Sequence, residues 1–491
     1  MSSSNNSSGY QEFDHILNAG RSLVVVQTFE EDRLQKILTA IGSARRQELW
    51  VWQANLGLLN SSGIIEGTQA AEAALAVLLS KQDRPPIVWM KDLHHHYRPE
   101  VTRSLRDIYY AWRHQGGALV ISATQRAIPS ELEREAAFIR LPLPDQLEIV
   151  TEVEAWASEQ GYDLMLDIQV VSSTLKGLTR SEVLHSLSRV QADGISGTAA
   201  LKALQQEKQR LVSKTGTLQF IPGVPPVNQL GGLEHLKEWL DSRRSLLTSV
   251  REEDREIIPK GLLLMGVSGC GKSLCVKAIS SAWQLPLYRL EMVRVFSGAY
   301  GSPETAFAEA CHVMEEMAPA VLWIDEIEMG LSAAGSAALD PTISRIFAFF
   351  LTWMQEKPAG LFVAATANRI DLLPAEMIRK GRFDQVFFVD LPNAREREDI
   401  FRIHLKKRGY EPTTFTPEVF ADATAGWSGA EIEQCVVGAV TSARMEERSL
   451  ELKDMYASRK EIVPLSTTME EQVRHIRNWA YERAARASAE A

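Results

Sequence analysis

Cysteine is scarce here: 4 in 491 residues, at Cys270, Cys275, Cys311 and Cys435. None forms a CxxC pair and none interleaves with histidine at zinc spacing, so a disulfide scaffold and a zinc-finger domain are excluded. A reducing compartment fits this usage. Long apolar runs are missing as well, and no stretch reaches the ~20 residues that a membrane span needs. Residues 1–9 are rich in Ser and Asn and lack the basic and apolar regions of a signal peptide, so they are expected to be a disordered tail. Basic charge is in deficit, with 53 Lys and Arg against 63 Asp and Glu and a net charge of −10, which argues against nucleic acid or anionic lipid as the partner. No HExxH occurs, which excludes a zinc protease of that type. Three consecutive histidines, His94, His95 and His96, lack the i, i+4 spacing of a zinc-binding pair, and a solvated loop is expected there.

Apolar residues are plentiful at 45%, enough for globular cores, and the length suggests two to four domains. The chain is organised around Gly266-Val267-Ser268-Gly269-Cys270-Gly271-Lys272-Ser273. It follows the apolar run Gly261 to Met265, read as a buried parallel strand, and precedes Leu274 to Ile279, read as a helix start. Strand, Gly-rich turn and helix are the context of a phosphate-binding loop. Glycines let backbone N–H groups turn inward around phosphate oxygens, and the helix N-terminus adds its dipole. Lys272 is then placed for the β- and γ-phosphates of ATP, and the Ser273 hydroxyl for Mg²⁺. Cys270 lies inside this loop, where it fits as a small residue.

Downstream, Val321 to Ile324 forms an apolar strand ending in Asp325-Glu326. A buried strand fixes two carboxylates at its carboxyl end, where α/β proteins bind ligands. Asp325 would hold Mg²⁺, and Glu326 would polarise the attacking water. Leu361 to Asn368 is a further buried strand, and Asn368 is placed to orient the water or touch the γ-phosphate. Arg379 and Arg382 are fixed cations three residues apart, read either as a solvated helix end or as arginine fingers.

The first two hundred residues alternate strands and helices, which predicts a parallel α/β sheet. Strands are expected at Ser22–Thr28, Leu49–Trp52, Ile87–Met90 and Ala118–Ser122. Three segments repeat later motifs. Ile87 to Asp92 resembles Val321 to Glu326, Ala118 to Thr124 resembles Leu361 to Ala367, and Gly177 to Leu187 resembles Gly426 to Val436. The first copy has lost the chemistry: Gln27 to Arg33 holds no glycine and carries Glu30, Glu31 and Asp32 where phosphates would sit, and Lys91 replaces the first acid. We therefore expect a disordered tail at 1–9, a degenerate nucleotide-binding-like domain at 10–205, a linker at 206–229, a nucleotide-binding domain at 230–393, and a helical lid with a C-terminal helix at 394–491. Residues 467–489 read as one amphipathic helix, belonging to the lid or docking on a neighbouring subunit.

Taken in order, GVSGCGKS, VLWIDE, ATAN, MIRKGRFD and GWSGAEIE resemble the Walker A, Walker B, sensor 1, arginine-finger and lid motifs of the AAA ATPases. The whole layout is also similar to the AAA proteins of algal plastids and cyanobacteria known as a hypothetical chloroplast reading frame. The resemblance implies an α/β P-loop module with a helical lid, preceded by a degenerate AAA-like domain. It implies ATP and Mg²⁺ as cofactors, a ring that is most often a hexamer, and Arg379 and Arg382 acting on nucleotide held by the neighbouring subunit. It implies adenine contact by the backbone near Leu230 to Gly232. It implies a plastid-stromal or bacterial-cytosolic ATPase that remodels a protein partner, with a tie to photosynthesis or carbon use; the first domain, having lost its phosphate loop, is expected to recruit the partner or cap the assembly.

Three departures stand out. Gly429-Ala430 occupy the sensor 2 position, where many relatives carry an arginine. Ala299-Tyr300-Gly301 puts alanine at the aromatic position of the pore loop, and an alanine cannot grip by apolar area as an aromatic ring does. Gln355-Glu356-Lys357 stands where relatives carry an Asp-Gly-Phe intersubunit signal. The altered pore loop favours an alternative reading, a nucleotide-dependent scaffold or switch that turns over slowly and threads nothing.

Overall fold

The computed structural model describes residues 8–81, 85–213, 216–222, 230–248, 257–297, 299, 301–329, 341–369, 372–373, 375–378, 381–481 and 483–489. Most of the expected N-terminal tail and much of the expected linker, together with Tyr300 and Arg379, lie outside them. Two compact units divide the chain, residues 1–208 and 209–491.

The first unit is a seven-stranded sheet. Its strands are β1 (Leu23–Gln27), β2 (Leu49–Gln53), β3 (Gly57–Asn60), β4 (Gly63–Ile65), β5 (Ile87–Lys91), β6 (Ala118–Ala123) and β7 (Ala137–Arg140), in the order β4-β3-β2-β5-β6-β1-β7. From β2 to β7 the neighbours are parallel, and β3 and β4 extend the edge as an antiparallel meander that the sequence reading did not anticipate. The parallel strands read as continuous apolar runs because both faces are covered. Val24, Val26, Trp89 and Val120 pack on one face with Phe13, Leu34 and Ile41, while Val25, Val88, Met90 and Ile121 pack on the other with Leu75, Leu105 and Trp112. Ser8 and Gly9, assigned to the tail on sequence, open a helix that runs Ser8–Asn18 and buries Phe13.

The second unit repeats the plan. Its strands are β8 (Leu218–Ile221), β9 (Gly261–Gly266), β10 (Leu287–Glu291), β11 (Ala320–Asp325), β12 (Leu361–Ala367), β13 (Gln385–Val389) and β14 (Ala485–Arg486), in the order β14-β13-β9-β12-β11-β10-β8. If β1 is matched with β9, the parallel order β2-β5-β6-β1-β7 becomes β10-β11-β12-β9-β13, so both units have one topology. Trp283 fastens the helix Lys272–Trp283 to this sheet: its ring meets Phe362 edge-on at 4.7 Å and its Nε1 donates to Leu240 O at 3.1 Å.

Two expectations change here. Part of the expected linker is ordered as β8, which pairs antiparallel with β10, because Leu218 and Phe220 alternate toward the core. The amphipathic segment expected over 467–489 is shorter and does not belong to the lid. Its helix is Glu470–Tyr481, with Ile476 and Ala480 packed on one face of the sheet and Val473 on the other cluster, and Ala485–Arg486 then add a strand beside β13. The lid itself comprises helices Ala394–Lys407, Pro417–Ala423, Gly429–Met445 and Leu452–Glu461 around Phe401, Phe420, Ile432 and Met455.

Gly261 marks a close approach of two strands, since a Cβ there would overlap Val363 O on β12. Gly261→Ala should lower stability by about 3 kcal/mol, read as a shifted urea midpoint, because the register of β9 against β12 leaves no room to relax. Lys357, which follows the helix Pro341–Glu356, is buried and donates to Leu361 O, and desolvation pulls it down to about 7. In the unfolded chain a lysine holds its proton to about pH 10.4, so this group costs stability at neutral pH and the cost fades as pH rises from 7 to 10. The stability of Lys357→Met relative to the parent should therefore be most favourable near pH 7 and decline toward pH 10 in paired urea titrations.

Candidate functional site

The carboxyl ends of β9, β11 and β12 open on a cavity of about 460 Å³, within the range typical of small-molecule sites. Gly266 closes β9 at φ 145°, where a Cβ would overlap Val389 O. Gly271, at φ 90°, caps the helix Lys272–Trp283 without any side-chain hydrogen bond. The first N–H groups of that helix therefore have no side-chain cap and face the cavity, which is the arrangement that receives an anion. Ser268, Gly269, Cys270, Gly271, Lys272 and Ser273 all line it. Gly266 and Val267 lie beneath, and their carbonyls accept from Lys272 Nζ at 2.9 and 2.8 Å. Lys272 is buried, and desolvation lowers its pKa. Among the described residues no carboxylate pairs with it, so the loop holds a cation whose only hydrogen-bond partners are carbonyls. Phosphate oxygens fit that donor set.

Across the cavity the acids are tied to one hydroxyl. Thr366 Oγ1 donates to Asp325 Oδ1 at 2.8 Å and accepts from Glu326 N at 3.1 Å. Glu326 adopts φ 47°, a left-handed turn that swings it out of the strand, and Asn368 Nδ2 donates to its Oε1 at 3.0 Å. Asp325 Oδ2 receives Arg289 Nη2 at 2.5 Å, and the Arg289 guanidinium also lies over the Trp323 ring at 4.9 Å. Glu328 Oε1 accepts from the backbone of Asn368 at 2.6 Å and Arg369 at 3.2 Å, and burial raises its pKa. Asp325, Glu326, Thr366 and Asn368 line the same cavity as the loop.

The lid closes the cavity's other side. Ala430 N donates to Gly269 O at 3.0 Å, and Glu396 Oε1 accepts from Leu233 N at 3.1 Å. Leu230 and Gly231, together with Ile400 and His404 of the lid, supply a less polar wall.

Of the residues singled out on sequence, Lys272, Ser273, Asp325, Glu326 and Asn368 come together. Arg382 does not join them: it is half-buried and donates to Glu376 O. Arg379 lies outside the described residues. Sequence reasoning missed Arg289, Thr366, Glu328 and Glu396. Glu328 was visible as the third acid of Asp-Glu-Ile-Glu, and Glu396 as the fourth residue of the capping box Asn393 to Glu396. Arg289 carried no local signal, since only the β10–β11 register sets it beside Asp325.

In the first unit a cavity of about 410 Å³ is lined by Arg33, Lys36, Glu148, Glu152 and Arg180. Its cations are already paired. Arg33 bridges Glu30 at 3.2 Å and Glu148 at 2.7 Å, while Lys36 and Arg180 both reach Glu152. Glu30 Oε1 also accepts from Arg180 N at 2.5 Å, so a carboxylate meets the lid-like helix where the second unit uses a loop carbonyl.

All four cysteines are free and buried, and burial pushes the Cys270 and Cys275 thiols up to about 12 and Cys435 up to about 11. A buried thiol with a raised pKa is inert. N-ethylmaleimide at pH 7.5 should label none of them in the native chain within minutes and all four after denaturation, read by intact mass.

Comparison with known proteins agrees with this geometry. Residues 10–141 match the family described as the N-terminal domain of SpoVK-like AAA ATPases, and residues 262–391 match the ATPase family associated with various cellular activities, AAA. The AAA domain-containing protein ycf46 of Guillardia theta is 34% identical over 96% of this chain and 94% of its own. Its counterpart in Pyropia yezoensis is 33% identical over 97% and 98%, and that of Trieres chinensis 30% over 95% of each. The chain belongs to the AAA ATPase family, alongside the ycf46 AAA domain-containing proteins.

Proposed function

We propose that this protein hydrolyses ATP as a ring of identical subunits and uses the cycle to remodel a protein partner. The observation that carries the reading is the convergence of Lys272, Ser273, Asp325, Glu326 and Asn368 on one cavity. Lys272 holds the β- and γ-phosphates, with the loop N–H groups around them. Ser273 and Asp325 would hold Mg²⁺, which supplies charge neutralisation at the phosphates. Glu326 takes the proton of the attacking water, and Asn368, bonded to Glu326, fixes its direction. Arg289 competes for Asp325, so the free site is held with one of its acids neutralised. Arg382 stands apart from its own subunit's cavity and is assigned, with Arg379, to the cavity of the neighbour. The first unit, whose cleft cations are paired with its own acids, recruits the partner or caps the assembly. No described helix is long and apolar enough to cross a membrane, and we place the protein in the plastid stroma or the bacterial cytosol.

The scaffold reading has one observation in its favour: Ala299 is exposed at the position of the gripping aromatic residue. Hydrolysis decides between the two. Specific activity should rise with protein concentration. Glu326→Gln should lose at least about 100-fold in kcat while still binding ATP, and Arg382→Ala should lose about 1000-fold. Mixing the two dead variants should restore part of the activity, because an intact Glu326 then meets a neighbour's intact Arg382. Negligible hydrolysis by the parent at every concentration, with ATP still bound, would replace remodelling by the scaffold.

A further inference from the structure

In the triple histidine of the first unit His95 and His96 are exposed, as expected of a solvated segment, but the His94 side chain is not. Residues Leu93–His96 form a turn of 3₁₀ helix directly after β5, and Asp92 opens it at φ 51°. His95 N donates back to Asp92 O at 3.1 Å, which closes the turn. The His94 side chain is only 7% exposed, and its Nδ1 is buried without any hydrogen-bond partner. The nearest carboxylate oxygen, Asp92 Oδ1, lies at 4.0 Å, too far for a hydrogen bond. The His95 ring stacks on that of His94, with centroids 3.9 Å apart and planes at 38°. His96 is directed elsewhere and meets the Trp52 ring edge-on at 5.5 Å. Asp92, His94 and His95 each offer a ligand atom, and the three atoms lie within 4.8 Å of one another.

We propose that Asp92, His94 and His95 form a binding site for a divalent first-row transition ion of the zinc type. An orphaned imidazole nitrogen held at a fixed point is a ligand awaiting a Lewis acid, and two imidazoles with one carboxylate suit zinc or cobalt, whereas Mg²⁺ prefers oxygen. Ligand atoms around such an ion at ~2.1 Å stand ~3.4 Å apart, so the cluster is loose by about one rotamer adjustment. The two side chains that must adjust, Asp92 and His95, are the exposed ones and also give the ion its way in. Three protein ligands leave one position open to water or to a donor from another molecule. The place in the fold matters too. Lys91 ends β5 and Asp92 follows it, just as Asp325 ends β11 and Glu326 follows it, and Asp92 and Glu326 share the same left-handed backbone. Where the second unit keeps acids for nucleotide, the first has a nitrogen-rich triad.

The test uses the full chain carrying no histidine tag, stripped with chelator and free of nucleotide. It is titrated with Zn²⁺ by calorimetry and with Co²⁺ by its visible absorption. The expected result is one equivalent bound, weakened at least about tenfold by Asp92→Asn and by His95→Ala. Both residues are exposed, so neither change threatens folding. His96→Ala and Asp325→Asn should bind as the parent does. The proposal is overturned if the stripped parent shows no saturable binding. It is equally overturned if Asp92→Asn and His95→Ala leave affinity and stoichiometry unchanged, or if Asp325→Asn alone removes the bound ion.

Discussion

One hydroxyl ties the cavity end of the second unit's sheet together. Thr366 Oγ1 donates to Asp325 and accepts from the backbone of Glu326, so a residue on β12 fixes both acids at the end of β11. The strands are in parallel register, with Ile324 opposite Ala365, and this is what brings the hydroxyl level with the acids. Asn368 reads out the same register two residues on, through its bond to Glu326. A slip of one residue would turn every side chain to the other face and dismantle all of these contacts at once. The buried apolar strands therefore do more than stabilise: their packing sets the alignment on which the polar contacts depend.

The two units show what happens to a scaffold when its chemistry is withdrawn. Both keep the strand order, and both keep capping boxes on the lid helices, Asp145 with Glu148 and Thr179 with Glu182 in the first, Asn393 with Glu396 and Ser428 with Glu431 in the second. The cleft differs. In the second unit it is a glycine loop around a buried lysine, and in the first it is crossed by Arg33 between Glu30 and Glu148. A buried ion pair of that kind costs desolvation, but breaking it costs more, because either partner alone would be left charged and unpaired. The cations of the first cleft are thus taken up by its own acids, where the second keeps a lysine held only by loop carbonyls.

Much of this was legible in the sequence. The α/β class, the repeat of three segments and the two acid-ended strands all follow from apolar runs and glycine placement, which report local backbone and burial. What the sequence hid was non-local. Arg289 faces Asp325 only because β10 pairs with β11, and no spacing along the chain reveals a cross-strand neighbour. The strand Ala485–Arg486 is too short for any periodicity and exists only because β13 offers it an edge. The triple histidine is a related case. Consecutive residues lack the spacing that a helix gives a ligand pair, but a 3₁₀ turn opened by a left-handed aspartate brings two of the three ring centroids within 3.9 Å of each other.

The position of β9 has a consequence for how the chain comes to be folded. The strand that carries the phosphate loop lies between β12 and β13, both of which follow it far along the chain. During synthesis its Leu-Leu-Leu-Met run must wait with both edges unpaired until residue 367 has left the ribosome, and with one edge open until residue 389 has. Long waits with open apolar edges are where aggregation begins and where chaperones intervene. A chain of this topology is therefore a demanding client during its own biogenesis.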